Sequence, residues 1–394
     1  MKRIGLAAAS VLAAFAGACG GDGDDDDGAL VAQGQRIFRY ETFGDEAKWT
    51  DTLRMHEVIA AAVDPTTALS VGLKVDVDAL PQAIKDGILA GTVDLTSPAT
   101  TLALLKLDAV VGLKGRVDTD NGVDKLKRVG VTCALCHSTV DDSFAPGIGR
   151  RLDGWPNRDL DVGAIIALSP ALDAAQQSVF GTWGPGRYDP RHNADGLNKP
   201  VVIPPAYGLA GIDKITFTGD GDVAVPVGDV AAVTQMGGLG RFSDPRLPLT
   251  VINGTVDLVS DKLPALQAYQ LSLAAPAAPA GSFDADAAAR GKAVFDGKGE
   301  CATCHAGPLF TDADTRLHPP GDSVVEPETP SYASRSASGM YRATPLKGLW
   351  QHAPYFHDGS AATLEDVGTR YNAERALGLT AQEIADLAQY LKSL

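Results

Sequence analysis

The sequence predicts a mostly α-helical chain made of two unequal copies of one domain, and three observations carry that expectation. Cys133-Ala134-Leu135-Cys136-His137 recurs as Cys301-Ala302-Thr303-Cys304-His305. Gln33-Gly34-Gln35-Arg36-Ile37-Phe38, ahead of the earlier motif, matches Arg290-Gly291-Lys292-Ala293-Val294-Phe295 ahead of the later one. Leu263, Leu266, Tyr269, Ser272 and Leu273 repeat the spacing of Ile384, Leu387, Tyr390, Ser393 and Leu394, and the apolar members make one stripe of a helix in each copy. Self-similarity at this long period means one unit used twice.

The five-residue motif supplies the chemistry. Two cysteines separated by two residues can form thioethers with the two vinyl groups of one haem, and the histidine that follows is placed to ligate the iron. The expectation is two covalently bound c-type haems (haem c), one held by Cys133, Cys136 and His137 and one by Cys301, Cys304 and His305, in two cytochrome c-like haem domains. A four-cysteine zinc site would also use two CxxC pairs, but it gives no reason for a histidine after both pairs in a chain with only seven.

At the amino end, Met1-Lys2-Arg3 is basic, residues 4–16 are apolar, and Gly17-Ala18 are small just before Cys19. This reads as a signal peptide over residues 1–18 followed by a lipidated Cys19. The apolar run is too short to span a bilayer as a mature helix. The membrane would therefore be met through the N-terminal lipid only, in the periplasm or as an outer-membrane-anchored lipoprotein. Residues 19–30, Asp24 to Asp27 among them, offer nothing to bury and read as an acidic tether. The chain has 34 Lys and Arg against 49 Asp and Glu, and loss of Lys2 and Arg3 with the signal moves the formal charge from −15 to −17. That charge disfavours nucleic acid and anionic surfaces and steers a basic or lysine-rimmed redox partner.

The first haem domain covers residues 31–275, a Pro/Ala-rich linker 276–282, and the second haem domain 283–394. Phe295 stands 6 residues before Cys301 but Phe38 stands 95 before Cys133, so about 89 residues are inserted in the first copy. That insertion, about 44–128, predicts helices over 51–63, 77–90 and 97–111, interrupted at Asp64-Pro65 and at 94–98, forming a helical cover on the first haem. Beyond each motif come a Pro/Gly-Leu segment, residues 204–209 and 344–349, and a turn, Phe217-Thr218-Gly219-Asp220-Gly221 and Phe356-His357-Asp358-Gly359. The loops holding Trp155 and Arg158, and Trp183, Arg187 and Tyr188, suit haem-edge packing and propionate pairing.

Tyr341-Arg342-Ala343-Thr344-Pro345-Leu346-Lys347-Gly348-Leu349, running into Ala353-Pro354-Tyr355-Phe356-His357-Asp358-Gly359-Ser360 and Ala362-Thr363-Leu364-Glu365, resembles the bacterial dihaem cytochrome c peroxidase superfamily, which includes the maturation enzyme MauG. The resemblance is specific over about residues 287–394 and loose over 130–275, and residues 44–128 have no counterpart in it. It implies a C-terminal haem that transfers electrons and carries its distal ligand twelve residues past the Asp-Gly turn. That position is Tyr371, and a tyrosine there is what MauG is known for, so the resemblance implies His305/Tyr371 ligation. On the first haem, Met236 lies 15 residues past the equivalent Gly221 and is the candidate sixth ligand, a soft thioether that raises the potential. Met55 reads as core. Met340 reads as packing and is the second choice for the second haem.

In the peroxidases a glutamate beside the N-terminal haem moves the proton that peroxide heterolysis needs. Here no glutamate occurs from residue 58 to 299, the superfamily's tryptophan between the haems is replaced by Thr218, and no histidine follows His137 before His192. An aspartate such as Asp141, Asp153 or Asp161 could substitute for the acid, and nothing in the sequence says that one does. His56, His352 and His357 read as structural hydrogen-bonding residues, and Asn198 ahead of Pro200 resembles the superfamily's calcium-binding asparagine, the ground for a Ca2+ expectation. The reading is an exported dihaem c-type cytochrome carrying out electron transfer, with no catalytic residue assigned. The alternative is an enzyme, a dihaem cytochrome c peroxidase reducing hydrogen peroxide or a MauG-like oxidase.

Overall fold

A computed structural model of the chain describes residues 22–192, 195–222, 230–242, 252–322 and 330–394. The expected signal peptide and Cys19 lie outside the described residues. Among those described, no helix is long and apolar enough to cross a membrane.

Each half is organised on one helix crossing. The opening helix of the first half, Asp22–Tyr40, packs on its closing helix, Leu263–Ser272, and Ala285–Asp296 packs on Ala381–Lys392 in the second. Both crossings require glycine. A Cβ on Gly34 would lie 1.9 Å from the Ala265 carbonyl oxygen, and one on Gly291 would lie 2.0 Å from that of Asp386. One turn further, Phe38 meets Tyr269 edge-on at 5.5 Å and Phe295 meets Tyr390 edge-on at 5.2 Å, the arrangement aromatic quadrupoles favour. The repeated sequence blocks are thus structural equivalents. A buried carboxylate secures each crossing: Asp153 takes Arg39 and Tyr269 at 2.5 Å each, and Asp386 takes Arg290 bidentately at 2.8 Å.

The opening helix begins at Asp22, inside the segment expected as a tether over 19–30.

The insertion departs from an all-helical cover. Its helices are Met55–Ala62, Pro65–Ser70, Gln82–Leu89 and Pro98–Lys106, with a π turn at Ala47–Thr52 and a 3₁₀ turn at Val77–Ala79. The expected helix over 77–90 is split because Pro81 cannot continue the preceding turn. The expected helix over 97–111 ends at Lys106, and the chain enters an antiparallel hairpin, Leu113–Asp120 with Val123–Val131. Asp120 pairs with Val123 across Asn121-Gly122, whose φ angles of 51° and 79° are those of the two-residue turn that matches strand twist.

The hairpin is tied to the start of the insertion. The Thr50 hydroxyl donates to the Val129 carbonyl and accepts from its amide, both at 2.8 Å, and the Val131 amide donates to the buried Asp45 carboxylate at 3.2 Å. Burial pushes Asp45 up to about 9. The second strand then runs through Thr132 directly into Cys133, so the hairpin delivers the first motif to its place. Phe38, Phe43, Leu105, Leu160 and Ile166 anchor a large core in the first half; Phe295, Leu387, Ala388 and Leu391 anchor a smaller one in the second.

Candidate haem-binding cavity

Both motifs open onto one cavity of about 830 Å³. Cys133, Cys136, His137, Cys301, Cys304 and His305 line it, together with Met236 and Tyr371. The motif backbones are alike, with the His137 amide donating to the Cys133 carbonyl at 3.1 Å and the His305 amide to the Cys301 carbonyl at 2.9 Å. His137 Nδ1 lies 3.0 Å from the Pro204 carbonyl oxygen and His305 Nδ1 lies 3.0 Å from that of Phe310. A carbonyl only accepts, so Nδ1 carries the proton and Nε2 keeps its lone pair for a metal. Burial pulls His137 down to about 4 and lowers His305, so both rings stay neutral as iron ligands require.

The cysteines fit thioether chemistry better than zinc. Burial pushes the thiols of Cys133 and Cys136 up to about 12 and that of Cys301 up to about 11, the reverse of a thiolate metal site. The two pairs do not converge. Among the described residues, the ligand-type group close enough to share an ion is Cys304, Asp312 and His318, and Arg316 already fills it, 2.9 Å from Asp312 and 3.5 Å from Cys304 Sγ.

The rest of the wall suits a macrocycle with acidic edges. Arg158 and Arg342 line the cavity, each with a buried Nε that has no partner, and burial lowers both to about 10. His352 is buried on the same wall with neither ring nitrogen bonded, and burial beside Arg158 pulls it down to about 3. Buried donors without acceptors cost roughly 1–3 kcal/mol each, and haem propionates are the acceptors this wall lacks. Arg187 likewise has an unpartnered Nε while its Nη2 donates to the Gly359 carbonyl at 3.3 Å. Arg158 and Arg187 stand in the two loops expected to suit propionate pairing. Arg342 joins Arg158 on the wall from within the segment Tyr341-Arg342-Ala343.

The candidate distal ligands come from different elements. Met236 ends the π turn Val230–Met236 and is 8% exposed. Tyr371 lies on the helix Leu364–Glu374 with its ring 5.8 Å from Phe356. Met340, the second choice, is 38% exposed and off the cavity wall, and Met55 is core as expected. His357 stacks on Tyr341 at 4.9 Å and on Tyr332 at 5.6 Å at the cavity edge.

Asp141, Asp153 and Asp161 do not reach the cavity, being held by Arg150, by Arg39 and by the Ala164 amide respectively. Asp220 does line it. The Asn198 side-chain oxygen accepts from the Trp183 indole at 2.9 Å and its amide nitrogen donates to the Thr182 hydroxyl at 3.1 Å. The histidine and lysine beside Met236, His192 and Lys48, were not legible as a pair: Lys48 Nζ lies 3.3 Å from His192 Nε2, although the residues are 144 positions apart.

A family model described as RoxA-like, cytochrome c-like, matches residues 339–372. The chain is 28% identical to cytochrome-c peroxidase IdrP1 of Denitromonas iodatirespirans over 27% of its own length and 40% of that protein's. It is 28% identical to a MauG-like protein associated with microbial copper homeostasis, over 34% of this chain and 56% of that one, with a TM-score of 0.27. Hydrazine synthase of Kuenenia stuttgartiensis shares 20% identity over 50% of this chain and 73% of that one, with a TM-score of 0.32. The chain therefore spans less than two thirds of the curated relative, and the superpositions are too loose to add to the sequence matches. Over the matched stretches the chain is thus similar, at modest identity, to cytochrome c-like haem proteins and to a cytochrome-c peroxidase, in agreement with its two CxxCH motifs and the wall of the cavity.

Proposed function

We propose that the chain is an exported dihaem c-type cytochrome that accepts electrons from one partner and passes them to another. The observation that carries this is the shared cavity, onto which both CxxCH motifs open with their histidines fixed in the ligating tautomer. Haem c supplies a one-electron iron couple when bound. The chain's part is to fix and tune it: His137 and His305 ligate, Met236 raises the potential of haem 1, and the Tyr371 phenolate lowers that of haem 2. Arg158, Arg342 and His352 take the propionates. The formal charge, −15 for the full chain and more negative once Lys2 and Arg3 leave with the signal, favours a basic partner, in the periplasm or at an outer membrane reached through a lipid on Cys19.

A mass of the denatured protein equal to the polypeptide plus two haems, and two low-spin ferric signals unchanged by hydrogen peroxide, are the expected results. The second reading is peroxide reduction, favoured by the related peroxidase and by His192 and Tyr188 lining the cavity with Met236. General acid-base help is worth about 10² to 10⁴ in rate, and the first half has no glutamate beyond residue 57 to supply it; Asp141, Asp153 and Asp161 do not line the cavity, and Asp220, which does, already accepts from the Thr218 hydroxyl at 2.8 Å. Turnover with a reduced cytochrome donor should accordingly be slow or absent, and fast turnover would put the enzyme reading first.

A further inference from the structure

The entry to the insertion reaches across the molecule to the Met236 loop. Two π turns meet there, Ala47–Thr52 and Val230–Met236. Such turns are rare and collect at functional sites. The last carbonyls of a helical turn have no partner within it, and here residues 187 positions away supply them. Lys48 Nζ donates to the Gln235 carbonyl at 3.0 Å, and the Trp49 indole N–H donates to the Met236 carbonyl at 2.9 Å. His192 Nε2 also lies 3.0 Å from the Gln235 carbonyl. Trp49 is 6% exposed, so its hydrogen bond is shielded from water.

The chain after Met236 is held by the same segment. Gly237 has φ 90°, and a Cβ on it would lie 2.4 Å from Lys48 Cδ. The Leu239 amide donates to the Phe43 carbonyl at 2.8 Å. Anchoring two consecutive carbonyls fixes the peptide planes on either side of the Met236 Cα, and with them the direction of its side chain.

We infer that Lys48 and Trp49 are positioning residues for the sixth ligand of haem 1, and that the insertion serves to hold Met236 at the iron. This rests on the reading of Met236 as that ligand. A supporting shell of hydrogen bonds is what keeps a ligand within the narrow tolerance ligation needs. Without it the thioether spends more time off the iron.

The test uses the full-length holoprotein with Trp49→Phe, Lys48→Met and Met236→Ala. Each is first checked for two haem masses and wild-type helicity. The readouts are the ferric thioether-to-iron charge-transfer band, the midpoint potential of haem 1, and the rate of carbon monoxide binding to ferrous haem 1. Met236→Ala should abolish the band and give the fastest carbon monoxide binding. Trp49→Phe, which keeps an aromatic ring and removes the indole N–H, and Lys48→Met, which keeps the stem and removes the ammonium, should each weaken the band and raise the binding rate about two- to tenfold, the factor one net hydrogen bond corresponds to. If Met236→Ala changes the haem but both other variants behave as wild type, the positioning inference is overturned while the ligand assignment stands. If Met236→Ala itself changes nothing, the ligand assignment falls and the inference with it. Should Trp49→Phe fail to fold, Lys48→Met decides alone.

Discussion

In the second half the chain leaves Phe295 and reaches Cys301 in 6 residues; in the first it takes 95 to pass from Phe38 to Cys133. Yet the two crossings agree in their glycine, in their aromatic pair and in a carboxylate bound by arginine. What the halves share is therefore the minimum that supports a CxxCH motif. What the first half adds acts elsewhere, on the strand that delivers the motif and on the loop that carries Met236. The smaller core of the second half has no such support, and it should depend on its haem more heavily.

The largest test removes one attachment at a time. Cys133→Ala and Cys301→Ala should each impair haem attachment at their own site only, read as one missing haem by mass spectrometry. Circular dichroism should show the greater loss of helix in Cys301→Ala, because the macrocycle is a larger share of that core. Equal losses would mean that the insertion contributes nothing independent.

Next are the crossings. Gly34→Ala and Gly291→Ala place a methyl against a backbone carbonyl that cannot move alone, a type of overpacking that costs about 1–3 kcal/mol. Similar destabilisation in the two variants, measured by denaturant unfolding of the holoprotein, supports equivalent crossings. A tolerated Gly291→Ala would show the second crossing to be the looser one.

The distal ligands should set the two haems apart. A thioether stabilises ferrous iron and a phenolate ferric, so haem 1 should reduce first. Met236→Ala should lower its potential and Tyr371→Phe should raise that of haem 2, each by some multiple of the roughly 59 mV that is a factor of ten for one electron. A redox titration in which Tyr371→Phe leaves haem 2 unmoved would reduce Tyr371 to packing.

The smallest effect is in pH dependence, and its sign differs between the halves. Burial holds Asp45 protonated up to about 9, against about 3.9 in an unfolded chain. The folded first half binds the extra proton, so its stability falls as pH rises through that window. Asp386 is the opposite case. Its pKa is lowered by the Arg290 hydrogen bonds, so the stability it contributes is present above about 3.9 and is lost as pH falls through the folded value. Asp45→Asn should flatten the alkaline limb of a melting-temperature profile, and Asp386→Asn the acid limb.

The motifs and the crossings were legible because covalent chemistry and helical periodicity are local: Cys133 and Cys136 stand within one turn, and Gly34 and Phe38 within two. The hairpin was less legible: Asp120-Asn121-Gly122 is a strong turn signal, but Leu102, Leu104 and Leu105 ahead of it carry a helical pattern whose end at Lys106 has no local mark. For carboxylates such as Asp141, Asp153 and Asp161, residue type says nothing about which arginine or amide already holds them. The reach of Lys48 and Trp49 to the Met236 loop had no trace in sequence spacing, since a side-chain contact across 187 residues is decided by packing.

The hairpin has one more consequence, in time. The thiols of the second motif come into place by a turn closed within a few residues of their helix. Those of the first wait for Val129 to find Thr50 and Val131 to find Asp45, closures of 79 and 86 residues. Loop closure costs entropy before contacts repay it, and non-local pairing slows folding. The motif synthesised first is therefore expected to be shaped last. During maturation, a chain carrying a single haem should carry it at Cys301 and Cys304.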